Sequence, residues 1–209
     1  MTYDYTGSFN NLTGHASNLY PSHSNKLSTP FSTQQALQTY LTAGVPSHKI
    51  TLGMPLYGRA FLQTTGFGKP YYGVGNGSWG QAGIWDYKAL PLAGAKEVYD
   101  AELGASYSHT MPNTTTSGYG YGDVTKGGRE DIVTYDNKVT AETKAAYIVE
   151  KKLGGGMWWE SSGDKSGAES LIGTVAKALE RCGGLDRSGN WLEYPTSRYD
   201  NLRDGMKEE

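Results

Sequence analysis

The sequence predicts an α/β fold of strand–helix units with parallel strands, interrupted by an inserted α+β subdomain. Apolar segments bounded by turn residues are followed by helix signals at both ends of the chain. Between them, from Phe61 to about Val139, the rhythm gives way to glycines, tyrosines and short strand-like runs without a long amphipathic helix. Removing that insert leaves three strand–helix pairs, the unit of a parallel sheet. Three parallel strands alone would leave both outer edges open to hydrogen bonding and the apolar middle strand poorly covered.

In chain order, Met1-Thr2-Tyr3-Asp4-Tyr5 reads as a strand ending in a polar Tyr-Asp pair. A strand at residue 1 predicts that the rest of the fold lies upstream, because structured termini usually follow a few loose residues. Residues 6–31 are polar and turn-rich. Ser32-Thr33-Gln34-Gln35 then forms a capping box for a helix to about Leu41, ended by Gly44 and Pro46. The apolar run Lys49 to Tyr57 predicts a strand buried on both faces, with Pro55 near its end because proline cannot donate to a ladder.

Within the insert, Asp131-Ile132-Val133-Thr134-Tyr135 is a short strand. A helix from Thr140 to Leu153, closed by Gly154, restores the βα rhythm, and Gly155 to Glu160 is the third strand. In the last helix Ala168, Leu171, Ile172, Val175, Ala176 and Leu179 form one apolar stripe ending near Cys182. The predicted divisions are therefore 1–60, 61–139, 140–182 and a polar surface tail, 183–209.

The formal net charge of the 209 residues is -2, and Lys and Arg are scattered, which argues against a nucleic-acid partner. No stretch approaches the roughly 18 apolar residues of a membrane span, and the N-terminus has no basic-then-apolar leader. Sequons at Asn11, Asn76 and Asn113 lie in loop-like sequence and hint at secretion. Cys182, the sole cysteine, is either a buried thiol or paired upstream. The four histidines have no ligand spacing and no phosphate loop is present, so neither a metal nor another cofactor is expected. With Tyr 16 against Phe 4, the aromatic content favours rings with a polar handle, suited to wet, concave binding surfaces.

Each strand ends in such a cluster: Tyr3-Asp4, Tyr57-Gly58-Arg59 and Trp158-Trp159-Glu160. Sugars need this combination, since their CH faces pack on rings while hydroxyls and amides take directed hydrogen bonds. By strand alternation one of the paired tryptophans faces the core; that is assigned to Trp158, leaving Trp159 for the cleft. Glu160 is read as a solvated or ion-paired carboxylate. Tyr3 and Asp4 both reach one site only if the strand ends there.

Three segments, Met1 to Tyr5, Leu52-Gly53-Met54-Pro55-Leu56-Tyr57-Gly58-Arg59-Ala60-Phe61 and Gly155-Gly156-Met157-Trp158-Trp159-Glu160, resemble the sixth, seventh and eighth barrel strands of glycoside hydrolase family 18 chitinases. The order is right, and the insert falls where the family carries a small α+β subdomain. The tail Tyr194 to Asn201 is similar to those of fungal secreted members. The resemblance implies the C-terminal part, strands 6–8, of a TIM (β/α)8 barrel from an extracellular, monomeric parent. It implies chitin or an N-acetylglucosamine oligosaccharide as the partner.

Family 18 enzymes cleave β-1,4-linked N-acetylglucosamine polymers through attack by the substrate's own acetamide oxygen. By that resemblance Tyr3 would hydrogen-bond the acetamide oxygen and Asp4 would contact the same or a neighbouring sugar. Trp159 would be the floor beneath the scissile sugar, Tyr57 and Arg59 would shape the adjoining subsite, and Tyr135 and Asp136 would wall the cleft. The family's general acid ends an Asp-x-x-Asp-x-Asp-x-Glu motif, and no Asp-x-Asp-x-Glu occurs among the 21 acidic residues. No catalytic acid is therefore assigned. Three readings stay open: part of an active chitinase, a lectin-like chitin-binding protein without hydrolysis, or a truncated product without a function of its own.

Overall fold

A computed structural model describes residues 1–110, 129–189 and 192–205. Ser32 caps α1 (Thr33–Thr42): its Oγ accepts the Gln35 N–H at 3.3 Å and donates to Gln35 Oε1 at 3.0 Å. The glutamine thus closes the capping box on the hydroxyl rather than on the cap's backbone N–H. Leu37 of α1 packs with Leu19 and Tyr147.

β1 (Thr51–Pro55) is buried from Leu52 through Pro55, hence on both faces. It is shorter than the predicted Lys49 to Tyr57. Pro55 has no N–H, and at Leu56 the chain leaves the parallel sheet. The Leu56 N–H donates to the Trp159 carbonyl and its own carbonyl accepts from Tyr87 N, both at 2.8 Å. Tyr57 already belongs to β2 (Tyr57–Thr64), so the boundary placed between residues 60 and 61 falls inside a strand.

β3 (Ile84–Asp86), β4 (Lys96–Asp100), β5 (Ala105–Thr110) and β6 (Glu130–Tyr135) join β2 in an antiparallel sheet of order β3-β2-β6-β5-β4. Asn137 caps α2 (Lys138–Glu150) through the Thr140 N–H. β7 (Gly155–Trp159) pairs in parallel with β1, placing Pro55 opposite Trp159. Ser170 caps α3 (Leu171–Cys182), and Asp164 accepts the Leu171 and Ile172 N–H groups at its N-terminus. A short α4 (Asp200–Arg203) lies in the largely exposed tail.

The two sheets share one core. Leu52 and Met54 of β1, Val133 and Tyr135 of β6, Ala145 and Ile148 of α2, and Leu171 and Val175 of α3 form a single buried cluster. At about 1.5–3 kcal/mol per large apolar side chain removed from water, this cluster ties the antiparallel sheet to the β1–β7 pair. Of the predicted stripe, Leu171 and Val175 are buried, and Ile172 and Leu179 pack at the cluster's margin. Ala168 precedes the helix, in a 3-10 turn.

Two expectations are corrected. Met1 to Tyr5 is not a strand: among the described residues one backbone hydrogen bond, Thr2 N to Gly53 O at 3.1 Å, joins it to β1, and no ladder forms. Cys182 is exposed, not buried, because α3 is solvent-facing from Glu180 onward. Asn11 and Asn76 are exposed on irregular segments, whereas Asn113 lies outside the described residues. No helix among the described residues is long and apolar enough to cross a membrane.

Candidate functional site

The crossing at Leu56 creates the site. Because β2 starts at Tyr57, Tyr57 and Arg59 are two apart on one strand and share a face. Both reach Asp4. The Tyr57 hydroxyl donates to Asp4 Oδ1 at 2.7 Å, Arg59 Nε donates to the same oxygen at 2.9 Å, and Arg59 Nη2 lies 2.8 Å from Oδ2. Asp4 has φ 61, so the extended segment turns there. The Arg59 guanidinium sits between the Phe9 and Tyr57 rings, 5.5 and 5.7 Å from their centroids.

Burial raises the Tyr57 pKa, and its hydrogen bond to Asp4 raises it further, so the phenol stays a donor. For Arg59 burial pulls downward, but the hydrogen bond and charge of Asp4 outweigh it and the net direction is up. Tyr3 packs edge-on against Tyr57, centroids 6.1 Å apart. Its pKa is raised by burial and then by the Asp4 charge. The Tyr3 hydroxyl is buried with no hydrogen-bond partner among the described residues. An unpaired buried hydroxyl costs about 1–3 kcal/mol.

Asp4, Tyr57, Arg59 and Trp159 line a cavity of about 480 Å³, and Tyr3 does not itself line it. Trp159 is 60% exposed, whereas Trp158 is partly buried against the core, as alternation requires. Glu160 borders the same cavity, where its carboxylate accepts from the Ser162 hydroxyl.

Sequence reasoning missed Trp79, Gln81 and Asp86, which also line the cavity. Their signal was a tryptophan in the glycine-rich stretch Gly77 to Gly83, where an apolar core residue is out of place.

Tyr135 and Asp136 are not brought to this cavity, which corrects their assignment to the cleft wall. Tyr135, 1% exposed, belongs to the shared core and donates to Glu97 Oε2 at 2.5 Å. Asp136, 2% exposed, pairs with the fully buried Lys144 at 2.6 Å and accepts from the Ser17 hydroxyl at 2.7 Å. The end of β6 runs into the core toward α2, so a Tyr-Asp pair there is structural.

Residues 1–164 match the family described as Glycosyl hydrolases family 18, and the chain belongs to that family. Over 206 residues it is 45% identical to Chitinase 1 of Aphanocladium album and 44% identical to Endochitinase 1 of Metarhizium robertsii. In each case the alignment covers 99% of this chain but 44% of the relative, so the chain spans less than half of their length. Among solved structures, the catalytic domain of psychrophilic chitinase B from Arthrobacter TAD20 superposes with TM-score 0.69 at 32% identity, covering 88% of this chain and 39% of that one. A family 18 chitinase from Cycas revoluta in complex with (GlcNAc)3 gives 0.63 at 27% identity, covering 88% and 46%.

Proposed function

We propose that this chain carries the sugar-binding half of a chitinase site, built on strands 6–8 of a (β/α)8 barrel with the family's α+β insertion. In this reading residues 1–60 hold the strand 6 segment, which forms no ladder with β1, and strand 7; residues 61–139 hold the insertion, whose first strand begins at Tyr57, and residues 140–182 helix 7, strand 8 and helix 8. The complete protein is an extracellular monomer that hydrolyses β-1,4-linked N-acetylglucosamine polymers.

The observation that carries this reading is the Tyr57–Asp4–Arg59 cluster, which lines one cavity together with the exposed Trp159. In substrate-assisted cleavage the acetamide oxygen attacks the anomeric carbon and must be held in line. Tyr3 supplies the hydrogen bond to that oxygen. Trp159 stacks under the sugar, Asp4 meets the same or a neighbouring unit, and Tyr57 and Arg59 hold Asp4 and shape the adjoining subsite. The Cycas revoluta complex with (GlcNAc)3 supports an N-acetylglucosamine oligomer as the ligand.

Hydrolysis also needs an acid to protonate the leaving oxygen, and the 209 residues hold no Asp-x-Asp-x-Glu. The chain alone therefore binds without turnover. The same absence favours a second reading, a chitin-binding protein without hydrolysis. The two separate on the reading frame upstream: one encoding Asp-x-x-Asp-x-Asp-x-Glu supports the chitinase, and a frame lacking it supports the binder. Binding itself is tested on insoluble chitin, where the chain is retained and Trp159→Ala is not. Failure of the intact chain to be retained removes both readings.

A further inference from the structure

We propose that Trp79 is a second stacking platform in the same cavity, taking a further N-acetylglucosamine unit of the chain that lies on Trp159. The proposal rests on the reading of this cavity as a chitin site and extends it to chain-length preference. Trp79 is 76% exposed, although indole is a costly surface to leave in water. It is not loose. Its Nε1–H donates to Asp86 Oδ2 at 2.8 Å, and Lys88 Nζ lies 5.2 Å from the ring centroid, over one face.

Lys88 is itself fixed by Asp86 at 3.2 Å and by the Ser162 carbonyl at 2.7 Å. Ser162 lies three residues after Trp159, so the same lysine ties the Trp79 turn to the segment that follows the Trp159 floor. The turn is also committed in its backbone. Trp79 has φ 56, and a Cβ on Gly77 would meet the Gln81 and Ile84 carbonyls at 1.9 and 2.3 Å. An indole pinned at its edge and covered on one face presents its remaining face without further ordering cost. Trp159 borders the same cavity, together with the Gln81 amide, which can meet hydroxyls or acetamides. A polymer that repeats one CH face per unit is the ligand with a use for two such rings.

Binding of (GlcNAc)2 and (GlcNAc)6 to the chain, measured by calorimetry for the natural sequence, Trp79→Ala and Trp79→Phe, tests this. The expected result is about tenfold weaker binding of (GlcNAc)6 by Trp79→Ala, with (GlcNAc)2 changed less than about twofold and most of the loss recovered by Trp79→Phe. An unchanged (GlcNAc)6 affinity, or equal loss for both oligomers, overturns the proposal, the latter by showing a structural role. If the intact chain binds neither oligomer while remaining folded, the chitin-site reading falls and takes this one with it.

Discussion

Arg59 holds both oxygens of Asp4, Nε to Oδ1 at 2.9 Å and Nη2 to Oδ2 at 2.8 Å. This fork joins β2 to the turn that follows Tyr3, so it ties the antiparallel sheet to the segment that carries the candidate acetamide-binding hydroxyl. A lysine keeps the charge but not the paired geometry. Arg59→Lys is therefore expected to weaken (GlcNAc)6 binding about tenfold while lowering stability by only about 1 kcal/mol, since Asp4 is partly solvated. Calorimetric titration and urea denaturation read the two effects, and unchanged binding would remove Arg59 from the site.

The buried Lys144–Asp136 pair makes a different prediction. Burial lowers the Lys144 pKa, and the charge and hydrogen bond of Asp136, 2.6 Å away, oppose that shift. Lys144→Met leaves Asp136 uncompensated and should cost about 3–5 kcal/mol. Lys144→Met with Asp136→Leu should cost markedly less, because both charges leave together. Equal losses for the single and double variants in urea melts would contradict this coupling.

His15 gives the chain an acid limit. Burial lowers its pKa to about 4, with the Asp100 charge opposing, while its ring stacks on Phe67 at 4.0 Å. Unfolded, the imidazole titrates near 6.5. Above that pH neither state is charged and the contribution is complete. Between about 6.5 and 4 the unfolded chain takes the proton and the folded one does not, so stability falls with pH by about 3 kcal/mol. His15→Phe keeps a stacked ring and should flatten that part of the stability profile. An unchanged slope would show that other groups set it.

How far the sequence exposed these features depends on whether they rest on local chemistry or on long-range contacts. The Ser32 cap, the α3 stripe and the Trp158/Trp159 alternation follow from neighbouring residues, and the structure has the cap, the alternation and the stripe from Leu171 to Leu179. Met1 to Tyr5 has strand composition but only one backbone partner on β1, a fact of tertiary context. Tyr57 reads as the end of a buried strand, yet the Leu56 crossing puts it at the start of another sheet. Tyr135-Asp136 has the same polar-aromatic character as Tyr3-Asp4. What separates them is the buried Lys144, eight residues past Asp136, a distinction that spacing alone does not carry. Trp79 escaped because its glycine-rich surroundings read as loop.

The most direct test of the central claim is turnover of a fluorogenic N-acetylglucosamine oligomer by the 209-residue chain and by the same chain completed with an N-terminal barrel half that carries Asp-x-x-Asp-x-Asp-x-Glu. The account predicts none from the chain alone and hydrolysis by the completed protein, with Tyr3→Phe in the latter lowering kcat/KM by about 10²-fold or more while leaving the fold at least as stable. Hydrolysis by the chain alone, or full activity of Tyr3→Phe, would contradict it.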